Sequence, residues 1–182
     1  METFTAARAF VVNPDYDEER RASLRKLDLS SIDPPIVEIV KGFAWLSYCF
    51  TLQSCYGHFL YAGQIDTHNT EPLPLGESID NIEYRIAYLA LCLEDSPAGR
   101  DLFDELGEIT SVDPDYLQFG SADWFWERHL NSYALQVEPK NRMTRDRCHI
   151  DYQEALQVEK VRNRFFDELT ILLQKRLRAE FN

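Results

Sequence analysis

The chain has 182 residues, with 31 acidic against 19 basic side chains and a formal net charge of −12. That length is a prior for one domain, large enough to bury roughly 70% of its unfolded surface without disulfide or metal support. A content of 45% hydrophobic and 13% aromatic residues excludes a disordered chain, and no apolar run approaches the ~20 residues of a membrane-crossing helix.

The start of the chain, METFTAARAFVVNPDYDEERR, has no basic region followed by an apolar stretch, so no secretory leader is expected. Four cysteines without a framework spacing fit a reducing cytoplasm. The acidity is uneven: residues 1–65 carry a net −2, residues 66–127 a net −13 and residues 128–182 a net +3. A broad nucleic-acid surface or an anionic membrane is therefore not an expected partner. A short basic run, Lys140, Arg142, Arg145 and Arg147, reads as a loop that could meet an anion locally.

In chain order, residues 15–27 read as a charged helix with few apolar positions. Asp33 followed by Pro34 reads as an N-cap and first helical turn. Ile36, Ile39, Val40, Phe43 and Leu46 then recur at spacings of three and four, which predicts a helix of about 14 residues to near Tyr48. Cys49 to Gln53 reads as a strand, Ser54 to Gly57 as a break, and His58 to Ala62 as a second strand. Residues 64–81, with Pro72, Pro74 and Gly76, read as a long polar loop. Residues 83–93 fit a strand buried on both sides or a buried helix, and the aromatic and β-branched residues at their start favour the strand. Ser96-Pro97 opens a helix through Leu102, Phe103 and Leu106 that ends at Gly107. A short strand is expected at 109–112 or 116–119, either helix or strand at 121–130, and a strand at Ser132 to Glu138, closed by Pro139. From Asp151, with Glu154 three residues on, a capping-box variant opens a long helix. Its buried stripe is Tyr152, Leu156, Val161, Phe165, Leu169, Leu172 and Leu173. The fold class is α+β: a single domain with a mixed or mostly antiparallel sheet, packed helices and a long C-terminal helix.

The most unusual string is Thr51-Leu52-Gln53-Ser54-Cys55-Tyr56-Gly57-His58. Gly57 permits close backbone approach or a positive φ, and exposed N–H groups at such a turn can cradle an anion. Cys55 and His58, three apart, suit a thiolate–imidazole pair or two metal ligands, or a buried thiol and a hydrogen-bonded strand histidine. The spacing of Cys49, Cys55 and His58 is not that of a zinc finger. Although His68, Cys148 and His149 could join them in space, no metal is assigned. Glycine-rich phosphate loops, metalloprotease motifs and the nucleophile elbow are absent from the sequence. Trp124, Phe125, Trp126 and Tyr133 read as an aromatic packing cluster, with a stacking surface for a base or adenine ring the second reading.

Residues 24–61, LRKLDLSSIDPPIVEIVKGFAWLSYCFTLQSCYGHFLY, resemble the N-terminal part of the tRNA wybutosine-synthesising methyltransferase family, the third enzyme of that pathway. The matching positions are Leu27, Asp28, Ser30, Ile32, Asp33, Ile36, Thr51, Ser54, Cys55 and Gly57. The family's Ser-Gly-Arg reads Tyr56-Gly57-His58 here, so a side chain mostly neutral at pH 7 replaces an arginine. The resemblance implies an α+β fold and, were the chemistry kept, S-adenosylmethionine as methyl donor.

The expected function is thus binding of a small or nucleotide-like ligand at the Ser54–His58 turn. In that reading His58 and Cys55 are the catalytic candidates, with His58 a hydrogen-bond donor or general acid–base. Thr51, Ser54, Gly57 and Asp33 are the ligand-binding candidates. The alternative is a non-catalytic interaction or regulatory module whose partner surface is the acidic block, with Asp101, Asp104 and Glu105 on its helix.

Overall fold

Two antiparallel sheets are joined where the chain passes through Tyr56–Gly57 and again through Ile86. The computed structural model describes residues 4–64, 66–74, 79–139 and 146–180. In order, the elements are β1 (Phe4–Ala6), α1 (Tyr16–Lys26), α2 (Val37–Trp45), β2 (Cys49–Cys55), β3 (His58–Leu60), β4 (Ile82–Arg85), β5 (Ala87–Leu93), α3 (Pro97–Glu108), β6 (Leu117–Ala122), α4 (Asp123–Trp126), β7 (Ser132–Val137), β8 (Arg147–Ile150) and α5 (Tyr152–Glu180). The larger sheet has the order β1-β6-β7-β5-β2 and the smaller β3-β4-β8. Every pairing is antiparallel. The α+β class and the long C-terminal helix agree with the sequence reading, and no helix among the described residues is long and apolar enough to cross a membrane.

The stretch read as one strand over 83–93 is two. The chain leaves the smaller sheet at Ile86, whose N–H donates to the Asp146 carbonyl at 3.1 Å, and joins the larger sheet as β5. Tyr84 ties the sheets together there: its hydroxyl donates to the Val137 carbonyl and accepts from the Ala87 N–H, both at 2.9 Å. A strand alternating across a half-buried sheet would show polar residues on one side. β5 is buried at six of seven positions, which explains its unbroken apolar run.

The helix after Asp33 also departs from expectation. A 3₁₀ turn, Pro34–Ile36, precedes α2, which stops at Trp45, and Asp33 makes no side-chain capping bond. Gly107 does not end α3; the helix runs into a 3₁₀ turn at Ile109–Val112, so the strand lies at 117–122 rather than 109–112. Strands β1 and β8 carry too few residues for period-two alternation to stand out. Residues 121–130 divide between the end of β6 and the single turn α4. Gly76 and the basic residues Lys140, Arg142 and Arg145 lie outside the described residues, while Arg147 opens β8.

α5 supplies much of the core through Val161, Phe165, Leu169 and Leu173, packing on α2, β4 and β7. Asp151 caps it by accepting the Glu154 N–H at 2.8 Å, as the capping-box reading requires. α1 has almost no apolar face and docks by polar contacts instead. Arg20 donates to the Ala44, Leu46 and Cys49 carbonyls at 3.0–3.2 Å, satisfying the open C-terminus of α2. Tyr16 is buried against Phe50, and Ser23 donates to the Thr51 carbonyl. These bonds lay α1 along β2, the edge strand of the larger sheet.

Candidate functional site

The turn between β2 and β3 is held from three sides. Gly57 has φ +90°, a conformation glycine tolerates, and an added Cβ would lie 2.8 Å from the Ala87 Cβ and 3.0 Å from its nitrogen. From α5, the buried Arg162 donates to the Gly57 carbonyl at 3.0 Å and stacks 4.1 Å from the centre of the Tyr56 ring. Tyr56 in turn donates to Asn163 and stacks on Phe166. From the segment before α2, the Asp33 carboxylate accepts the Tyr56 N–H at 2.8 Å. That bond is why Asp33 does not cap its own helix.

The same carboxylate lies 3.4 Å from Nε2 of His58, while Nδ1 faces the Asn69 carbonyl at 3.3 Å. Both partners are acceptors, which favours a proton on each ring nitrogen. The carboxylate of Asp33 foremost, with Cys55, pushes His58 up to about 10 against the opposing effect of burial. Burial pushes Asp33 up, but the bonds from His58 and Tyr56 outweigh it and hold the carboxyl below its ordinary value. The mostly neutral ring expected from the sequence is thereby corrected: the Asp33 carboxylate favours the charged form of His58 at neutral pH. His58 is 4% exposed, so this charge is internal rather than presented to solvent.

Cys55 completes the group, one donor atom each of Asp33, Cys55 and His58 lying within 4.8 Å of one another. The Cys55 sulfur accepts the Gly57 N–H at 3.4 Å. The His68 ring packs edge-on against His58 at 5.7 Å. Cys148 is buried in β8, and Cys49 is fully buried with its thiol donating to the Phe43 carbonyl; burial drives that thiol's pKa far up.

The candidate residues therefore separate. Thr51 and Ser54 line a cavity of about 940 Å³ between α1 and β2, whereas Cys55, Gly57, His58 and Asp33 do not. A bulge between Thr51 and Gln53 puts Thr51 and Ser54 on one face of β2, opposite Leu91 and Leu89, and Cys55 on the other, opposite Tyr88. The cavity floor includes Ile32, Val40 and Leu52, with Gln53 and Tyr88 beside it. Asp15, Glu18, Glu19 and Asp28 also line it, with Lys26 and His129, the last 3.4 Å from Glu19. Sequence reasoning did not find these carboxylates, nor Arg162. A charged residue on the apolar face of α5 is itself the signal, since arginine is almost never fully buried without a task. In the aromatic cluster Phe125 is buried and Trp126 meets Tyr133 at 5.9 Å, while the exposed Trp124 carries Arg128 on its ring.

The fold is of the α+β class, and the Asp33–Cys55–His58 cluster lies by the junction of its two sheets. No protein-family model and no curated protein matches the chain. Among solved structures it is similar to the PH1069 protein from Pyrococcus horikoshii, at 13% identity and a TM-score of 0.50, over 91% of this chain and 95% of that one. At that identity the likeness concerns the fold alone.

Proposed function

We propose that the chain is a relative of the tRNA wybutosine-synthesising methyltransferases and binds a small nucleoside-like ligand beside the Ser54–His58 turn. The observation that carries this reading is the cavity lined by Thr51 and Ser54, whose volume of about 940 Å³ suits a ligand of that size. Its lining of four carboxylates against one lysine and one histidine disfavours polyphosphates and favours a ligand with positive charge. S-adenosylmethionine meets that requirement with its sulfonium and ammonium groups, and when bound it supplies a methyl group on cationic sulfur. The hydroxyls of Thr51 and Ser54 would orient the ligand, Tyr88 and Leu52 would pack against it, and the Asp33–His58 pair would hold the turn that presents Ser54. The resemblance to the family rests on positions that serve this one region: Thr51 and Ser54 at the cavity, Asp33, Cys55 and Gly57 behind it. The acidic-module alternative has less support, because Glu105 is engaged within the chain by Lys175 and Arg176 at 2.7 Å.

Isothermal titration with S-adenosylmethionine, adenosine and ATP tests the proposal. S-adenosylmethionine is expected to bind and ATP not. Ser54→Ala is expected to weaken binding by about five- to tenfold, the worth of one hydrogen bond. Absence of heat with S-adenosylmethionine, or an unchanged affinity in both Ser54→Ala and Thr51→Ala, would sink it.

A further inference from the structure

We propose that Asp33, Cys55 and His58 form a binding site for a divalent transition-metal ion, zinc being the best match. The donors come from three places in the chain: the segment ahead of α2, the end of β2 and the start of β3. One atom of each lies within 4.8 Å of the other two, and Asp33 Oδ2 is 3.4 Å from His58 Nε2. Donors around a tetrahedral zinc, at bond lengths of about 2.0–2.3 Å, stand roughly 3.3–3.6 Å apart. Closing on an ion therefore asks only small side-chain shifts, with the protons of His58 Nε2 and of the Cys55 thiol released to solvent as the metal takes their place. A sulfur–nitrogen–oxygen set suits zinc and its neighbours and does not suit magnesium or calcium.

The surroundings fix each donor as a metal site requires. Histidine ligands nearly always direct their second ring nitrogen to a carbonyl or carboxylate. Here Nδ1 faces the Asn69 carbonyl at 3.3 Å. The Tyr56 N–H holds Asp33 at 2.8 Å, and the Gly57 N–H points to the Cys55 sulfur at 3.4 Å. The rival chemistry for these residue types is a thiol activated by an imidazole base. That arrangement divides the two ring nitrogens between nucleophile and orienting carboxylate. In this chain the carboxylate shares the Nε2 side and a main-chain carbonyl takes Nδ1, so all three side chains converge on one point instead of forming a relay. Three protein donors leave a fourth tetrahedral position for water or a further ligand. His58 is buried while the Asp33 side chain is 19% exposed and Cys55 half-buried, so an ion approaches from their side. The site stands apart from the cavity, since none of its donors lines it.

The whole chain, stripped of metal, is titrated with Co²⁺ as a spectroscopic stand-in for zinc. A thiolate-to-cobalt charge-transfer band in the near ultraviolet is expected, and Zn²⁺ should displace it. Cys55→Ser should abolish the band and weaken Zn²⁺ binding on the order of tenfold or more, at least what losing a supporting hydrogen bond costs such sites. Cys148→Ser, at a buried thiol elsewhere, should keep both. A spectrum without the band, or a band that survives Cys55→Ser, overturns the proposal. Should that variant fail to fold, iodoacetamide labelling of Cys55 in the unaltered chain decides the matter. Zinc protects the thiol if the site exists, and undiminished labelling refutes it. A chain that binds cobalt in this way but gives no heat with S-adenosylmethionine loses the cavity reading and keeps the metal site.

Discussion

Gly57 shows how a single residue sets the site. Its backbone sits where side-chain-bearing residues rarely go, and Ala87 fills the space a methyl group would need. Gly57→Ala is therefore expected to lower stability by about 2–4 kcal/mol, combining the left-handed backbone cost with overpacking. Urea unfolding followed by tryptophan fluorescence measures this, and a loss well under 1 kcal/mol would show that the turn rearranges freely. The possible positive φ was legible from the string around Gly57. The partnership of Asp33 with His58 was not, because 25 positions separate them and an aspartate ahead of Pro34 looks like a cap. The charge of His58 was misread for the same reason: its ordinary pKa says nothing until the carboxylate is beside it.

At the level of elements, periodicity located the long helix and the strands around Cys49 and Ser132. Sheet edges and strand breaks were hidden. Ile86 is as apolar as its neighbours, so nothing in its side chain marks the point where the chain changes sheets. The acidic block was visible, yet the pairing of its Glu105 with α5 was not, because Lys175 and Arg176 lie 70 and 71 residues further along. This contact makes a pH prediction. Burial pushes Glu105 up, but the two cations outweigh it and hold the carboxyl below its ordinary 4.5. The unfolded chain thus takes up the proton at higher pH than the folded one. The contact's stabilisation is full above the ordinary glutamate range and is lost as pH falls through the lowered value. The stability gap between the natural chain and Glu105→Gln should accordingly shrink between about pH 7 and about pH 3 in denaturant titrations. A constant gap would mean that the pair contributes no linkage.

For the whole molecule, net charge was a poor guide to any one surface. The value of −12 coexists with a buried His58 whose charged form Asp33 favours and with a cavity lined by four carboxylates. The overall class followed from alternating helix and strand patterns, whereas the division into two sheets required knowing who pairs with whom. That division has a dynamic consequence. The Tyr84 phenol bonds Val137 and Ala87 of the larger sheet from within the smaller one. Amide protons of β4 and β5 should therefore exchange with solvent in one cooperative opening, not as two independent units. Tyr84→Phe leaves two buried main-chain groups unsatisfied, at about 1–3 kcal/mol each. Hydrogen exchange should then find β4 opening ahead of β5, and unchanged, simultaneous exchange would show that the phenol does not join them. Since Gly57 rests against Ala87 next to this junction, such a split would release the β2–β3 turn long before the domain melts. The lifetime of the turn's geometry would then be set by a tyrosine hydroxyl that no ligand ever touches.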